Sequence, residues 1–162
     1  MSDLKITVND APMQIALKNF SARIVPGSLL KIAGAVMRSS IEQTFRDQGS
    51  PAGSWPALAP STLKRGKGGI GRKMLIQSGR MKNSINYLVE GNTLTIGTNL
   101  RYAAIQQKGG IAGRKGPFKK KNGRRPFIPA RPFVVFRPED PQRIADAMQR
   151  YIDAAAQESG LK

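Results

Sequence analysis

Apolar positions in the first third of the chain recur at helical spacing. Met13, Leu17 and Phe20 set a short amphipathic helix ending near Arg23, with Pro12 suited to its first turn. Pro26 opens a longer helix. Leu29, Ala33, Val36, Ser40 and Phe45, beside Leu30, Met37, Ile41 and Thr44, form a wide stripe at 3.6-residue spacing, and Gly49 ends it. Ahead of both, Leu4, Ile6 and Val8 alternate with Lys5 and Thr7, a strand-like period of two, before a turn at Asn9-Asp10. Residues 49–73 are rich in Gly and Pro and read as irregular chain, followed by a short helix over Leu75–Asn83 interrupted at Gly79. Ser84–Val89 and Thr93–Thr98 are β-prone and joined by Glu90-Gly91-Asn92, which predicts a hairpin. Arg101–Lys108 suits a short helical turn, residues 109–130 a long basic loop or arm, and Pro132–Phe136 a buried strand. A last helix starts at Asp140 as N-cap with Pro141 in its first turn, and Glu139 complements its dipole. Its apolar residues are Ile144, Ala147, Met148, Tyr151, Ile152 and Ala155. The expected class is α+β: a small antiparallel sheet packed with a long helix from the N-terminal half and a C-terminal helix, with long basic loops, in one domain spanning 1–162.

A chain of 162 residues with 40% hydrophobic residues can bury a core without covalent staples. It has no cysteine, which excludes disulfides and thiolate metal sites, and no apolar run long enough to span a bilayer. Met1-Ser2-Asp3-Leu4-Lys5 does not open a signal peptide, so synthesis and retention in the cytoplasm are expected. Charge changes the picture most. Residues 50–137 hold 18 Lys or Arg and one acid, Glu90, whereas the flanks hold nine bases and nine acids, so the whole excess of +17 lies in the middle. A field so concentrated favours a polyanion or an acidic protein surface as neighbour.

Catalytic chemistry has little to work with. Without His or Cys there is no Ser-His-Asp or Cys-His site and no imidazole-ligated metal. Of ten carboxylates the adjacent pair is Glu139-Asp140, which a helix start explains. Gly66-Lys67-Gly68-Gly69-Ile70-Gly71-Arg72-Lys73 resembles a phosphate loop, yet Gly71 is followed by Arg72-Lys73-Met74, with the lysine late and no hydroxyl for Mg²⁺. The expectation is a protein with no catalytic residues, no cofactor and no metal. The candidate contact residues are Lys119, Lys120, Lys121, Arg124 and Arg125. They are a dense basic run flanked by Phe118 and Phe127, suited to phosphates without sequence reading or to solvent alone. Trp55, in a Gly/Pro-rich loop, suits an anchor that packs the loop on the core.

Five segments in order carry a resemblance. They are Phe45, Gly49, Pro51, Gly53, Trp55 and Leu58 before Ser61-Thr62; Leu75-Ile76, Ser78-Gly79, Met81 and Ser84-Ile85; Ile96-Gly97-Thr98-Asn99; Tyr102-Ala103, Ile105, Gln107 and Gly109; and Pro129-Ala130-Arg131-Pro132-Phe133. This order resembles the phage virion morphogenesis family, with its Mu-like morphogenesis and protein S-type tail-completion members, over roughly residues 29–155. The family commonly places a His before the Gln of the Tyr-Ala motif, where this chain has Gln106. The resemblance implies a structural virion protein made in the host cytoplasm and kept in the neck or head-proximal tail. It also implies self-association as a ring, commonly six-fold, beside head–tail connector and tail proteins, with non-specific DNA contact in the channel open. Trp55, Gly79, Tyr102, Gln107, Arg131, Pro132 and Phe133 are the motif positions expected to serve structure. The alternative is a non-enzymatic nucleic-acid-binding protein that uses the central basic segment.

Overall fold

The computed structural model describes residues 11–60, 63, 73–76, 78–111 and 126–161. The alternating segment at residues 4–8 and the basic run at 119–125 lie outside them.

Helix α1 spans Ala11–Arg23 and α2 spans Pro26–Asp47, set at 50° to each other across Ile24-Val25. Pro26 begins α2 because a first-turn N–H needs no helical partner and its fixed φ is already helical. Of the predicted stripe, Ala33, Met37, Ser40, Ile41, Thr44 and Phe45 are buried, as is Gly34 beside it. The helix stops one residue earlier than expected. Gln48, not Gly49, takes the left-handed C-cap, with φ 55°, and its N–H bonds Thr44 O. The Gln48 side chain offsets the steric cost. Its amide donates to Phe45 O at 2.7 Å and Met74 O at 3.2 Å and accepts from Met74 N.

The stretch after α2 is not uniformly irregular, since β1 (Gly49–Ser50) and β2 (Gly53–Ser54) close a tight antiparallel turn. Helix α3 is Arg80–Asn83 alone, because Gly79 at φ 68° breaks the expected longer helix. The predicted hairpin is present as β3 (Asn86–Glu90) and β4 (Thr93–Gly97), with Glu90 opposite Thr93 across Gly91-Asn92. Gly91 at φ 55° supplies the positive φ that a two-residue loop needs at its first position. The hairpin packs on α2 through Gly34, where an added Cβ would lie 2.5 Å from the Tyr87 ring.

Helix α4 is Ala103–Lys108, and the ends of the basic segment pair as β5 (Gly110–Ile111) with β6 (Phe127–Ile128). Helix α5 runs Asp140–Glu158 antiparallel to α2. Ser40 Oγ donates to Asp140 Oδ2 at 2.9 Å near one end, and Tyr151 Oη donates to Arg23 O at 2.6 Å near the other. The architecture is α+β: three antiparallel two-stranded sheets among the described residues, with the β3–β4 hairpin and β1 packed on α2.

One apolar cluster joins these parts: Ile41, Phe45, Trp55, Met81, Ile85, Ala103 and Phe133. Phe45 is its centre, edge-on to Trp55 at 5.7 Å and tilted against Phe133 at 5.5 Å. Phe133 reaches the core, but residues 132–136 form no strand. Pro132 has no N–H for a ladder, and side chains bind this segment instead of a neighbouring strand.

Candidate functional site

Residues 131–134, which carry no regular structure, are held from three sides. Trp55 Nε1 donates to Pro132 O at 2.8 Å. Gln107 acts as a substitute strand: its Oε1 accepts from Phe133 N at 2.9 Å and Val134 N at 3.0 Å, and its Nε2 donates to Val134 O at 2.9 Å. Backbone completes the pattern, with Arg131 N donating to Gln106 O at 2.7 Å. The Arg131 side chain turns back under the Trp55 loop, giving Nε to Pro56 O and Nη2 to Ala57 O, both at 3.0 Å. Arg131 is buried among carbonyls, and burial pushes its pKa below the usual arginine value. The sequence-predicted Trp55, Gln107, Arg131, Pro132 and Phe133, 78 positions apart at the extremes, therefore meet in one node.

A second polar cluster locks the start of α5. The Asp140 carboxylate is fully buried; Oδ2 accepts from Ser40 Oγ at 2.9 Å and Arg137 N at 2.8 Å, while Oδ1 faces Arg143 Nη1 at 3.5 Å. Asp140 is thus a tie between α2 and α5 rather than a solvent-facing N-cap. Arg137 Nη2 lies 2.6 Å from Asp47 Oδ2, and Nη1 lies 3.6 Å from Glu139 Oε1. The hydrogen bond from Arg137 holds the Asp47 carboxyl below its ordinary value, and Asp47 in turn raises Arg137. Sequence reasoning missed Gln48, Ser40 and Arg137. A polar Ser40 inside an apolar helical stripe was the available signal, since a buried hydroxyl requires a partner.

The other predicted positions lie apart. Gly79 is the left-handed residue before α3, and Tyr102 is an exposed residue at the start of α4, outside the node. Lys119, Lys120, Lys121, Arg124 and Arg125 lie outside the described residues, beyond the β5–β6 ends that frame them. No group of His, Cys, Asp and Glu suited to a metal occurs among the described residues, and no single helix there is long and apolar enough to cross a membrane. The node's donors and acceptors are used by backbone groups of the chain itself, an arrangement suited to fixing loops rather than turning over a substrate. Large apolar side chains are instead exposed on α1, at Met13, Ile15 and Leu17, on β5 and β6, at Ile111 and Phe127, and at Phe136.

The model of the phage virion morphogenesis family matches residues 8–153. Mu-like prophage FluMu G protein 2 of Haemophilus influenzae is 33% identical over 123 residues, covering 76% of this chain and 75% of that protein. The putative capsid assembly protein G of Escherichia phage Mu is 27% identical over 157 residues, covering 94% and 96%. No solved structure matches the chain. The matched span contains the node, the Asp140 tie and the hairpin together, and the chain belongs to the phage virion morphogenesis family, a structural part of phage assembly.

Proposed function

We propose that this protein closes into a ring at the head–tail connector of a tailed phage, completing the neck or head-proximal end of the tail and helping join tail to head. The observation that carries the reading is α1. It has no buried residue, and Met13, Ile15 and Leu17 are 58%, 62% and 51% exposed. A 13-residue helix is marginal in water alone, so its apolar side chains call for a neighbouring subunit. A connector continues a symmetric channel, and head-to-tail contacts that close make rings. Six subunits are the expected number. The whole chain acts as one domain with residues 109–130 as a basic arm.

Seven Lys or Arg and no acid occupy residues 114–125, so the arm needs phosphate, an acidic neighbour or counterions once copies crowd in a ring. We assign Lys119, Lys120, Lys121, Arg124 and Arg125 to contact with an adjoining connector or tail protein. The Gly/Pro spacing around them suits an extended clasp. Replacing all five with Ser should leave the ring intact, block head–tail joining and release free tails. Normal joining with impaired DNA retention would move the arm to the channel. Wild-type titre would make it a solvated loop. For the ring itself, the purified protein should sediment as a closed oligomer at low and high salt without nucleic acid, and purified particles should contain it. A monomer that binds DNA tightly would favour the nucleic-acid-binding alternative, to which the concentration of +17 in residues 50–137 also lends support.

A further inference from the structure

The solvent face of α2 carries a basic stripe that the charge balance of the sequence conceals. Lys31, Arg38 and Arg46 are exposed and follow at i, i+7 and i+15, within an arc of about 80° around the helix. At 1.5 Å per residue the stripe is about 22 Å long. Lys82 of α3 stands beside it. A single carboxylate, Glu42, faces Arg38 at 3.8 Å, Arg46 at 3.9 Å and Lys82 at 3.7 Å, each beyond hydrogen-bond reach. Three of the four cations thus share one loosely held acid, and Arg46 also acts on the charge of Asp47 beside it. Lys31 and Arg38 also border an open groove of about 420 Å³ along Asn86–Val89 of β3.

We propose that this stripe is a phosphate-tracking surface for duplex DNA, separate from the arm. Three features favour phosphate. The cations are mounted on a rigid helix, so little backbone ordering entropy remains to be lost on binding. Their pairing with the half-buried Glu42 is long, and such loose pairs are weak enough to exchange for a phosphate oxygen. The exposed α2 positions between them, Ala35 and Ser39, are small, and α2 has no large exposed apolar side chain of the kind that anchors a protein interface. A duplex presents a phosphate charge about every 1.7 Å of axis, so the stripe spans several without reading sequence.

The inference rests on the connector reading for the source of the DNA, but not for the chemistry of the stripe. The test uses the full chain with Lys119, Lys120, Lys121, Arg124 and Arg125 replaced by Ser, so that the stripe is measured without the arm. A labelled duplex is titrated at several salt concentrations. Adding Lys31→Gln, Arg38→Gln and Arg46→Gln should weaken binding roughly tenfold or more, and flatten the plot of log affinity against log salt by about 0.9 for each phosphate that the stripe no longer neutralises. Glu42→Gln should tighten binding several-fold, because it frees three cations at once. Circular dichroism melts of each variant should match the parent, since the substituted positions are on the surface. Equal affinity and slope in the triple variant would overturn the proposal, as would weaker binding by Glu42→Gln. Displacement of the duplex by polyglutamate at equal charge would overturn the choice of DNA over an acidic protein. Sedimentation of the same samples separates the two readings: monomers that still show the stripe's effects sink the ring and leave the stripe standing.

Discussion

The segment 131–139 and helix α1 are opposite solutions to the same physical demand. The segment lacks regular structure, yet named side chains satisfy its backbone: Trp55 at Pro132, Gln107 at Phe133 and Val134, and Asp140 at Arg137. Helix α1 is regular, yet it buries none of its residues and is tied to α5 mainly through Arg23, by the Tyr151 hydroxyl and Glu158. Regularity and integration into the core are therefore separate properties. The motif residues Arg131, Pro132 and Phe133 lie in the irregular, integrated region and Trp55 and Gln107 bind it, whereas α1 contributes none of them. In this molecule these five motif positions fix loops to the core.

The largest expected effect falls at the centre of the node. Phe133 is 1% exposed and packs on Phe45, so Phe133→Ala should cost about 3–5 kcal/mol in a urea or thermal melt. A cost under about 1 kcal/mol would mean that the segment is not integrated, and the contrast with α1 would vanish. Next comes Arg131→Leu, which keeps much of the apolar stem but leaves Pro56 O and Ala57 O without their donors. Loss of these two part-buried bonds should together cost roughly 1–3 kcal/mol. Lys at the same position should recover little, because one ammonium cannot reproduce a fork aimed at two carbonyls. Full rescue by Lys would show that charge, not geometry, holds the Trp55 loop.

How much of this was legible depends on the distance over which each residue acts. Helix α2, the β3–β4 hairpin and α5 were readable because local periodicity and turn chemistry decide them: Pro26, Gly91-Asn92 and Pro141 sit where helix starts and tight turns require such residues. Residues 132–136 misled, since an apolar run looks the same whether a strand or a Gln side chain binds its backbone. The end of α2 misled for a similar reason: Gln48 can occupy a glycine conformation only because Met74, 26 positions later, closes on its amide. The basic stripe was hidden because the flanks balance in total charge, while helical geometry places Lys31, Arg38 and Arg46 along one line. The ordered motifs pointed to the family, but their convergence on residues 131–134 is a tertiary fact that spacing does not state.

A smaller effect should appear in acid. Asp47 sits at the edge of the integrated region, and the Arg137 hydrogen bond lowers its pKa from the ordinary 3.8. Because the folded-state value is the lower one, the stabilisation is complete above pH 3.8 and is lost as pH falls from there through the lowered pKa. Asp47 is 40% exposed, so solvent screens the pair and the loss is modest. The stability curves of wild type and Asp47→Asn should differ at neutral pH and converge in acid. Parallel curves down to the lowest pH would assign the difference to packing instead of charge.

The smallest effect on stability is expected at α1, and it tests the comparison from its other side. Met13→Ser, Ile15→Ser and Leu17→Ser together remove three exposed apolar side chains from a helix with no buried residue. The core keeps its packing, so the isolated subunit should hold its main melting transition within about 0.5 kcal/mol. Helix propensity opposes this slightly, since Ser is a poorer helix former than Leu or Met by a few tenths of a kcal/mol per residue. That cost falls on α1 itself and should appear as local fraying in hydrogen exchange, not as global unfolding. Self-association should respond very differently, because three apolar side chains per subunit are repeated at every junction of a ring. A variant that melts like wild type but sediments as monomers would place α1 between subunits. Unchanged sedimentation would move the subunit interface away from α1. A loss of global stability above about 1 kcal/mol would show α1 integrated after all, and the division between scaffold and contact surface would have to be redrawn.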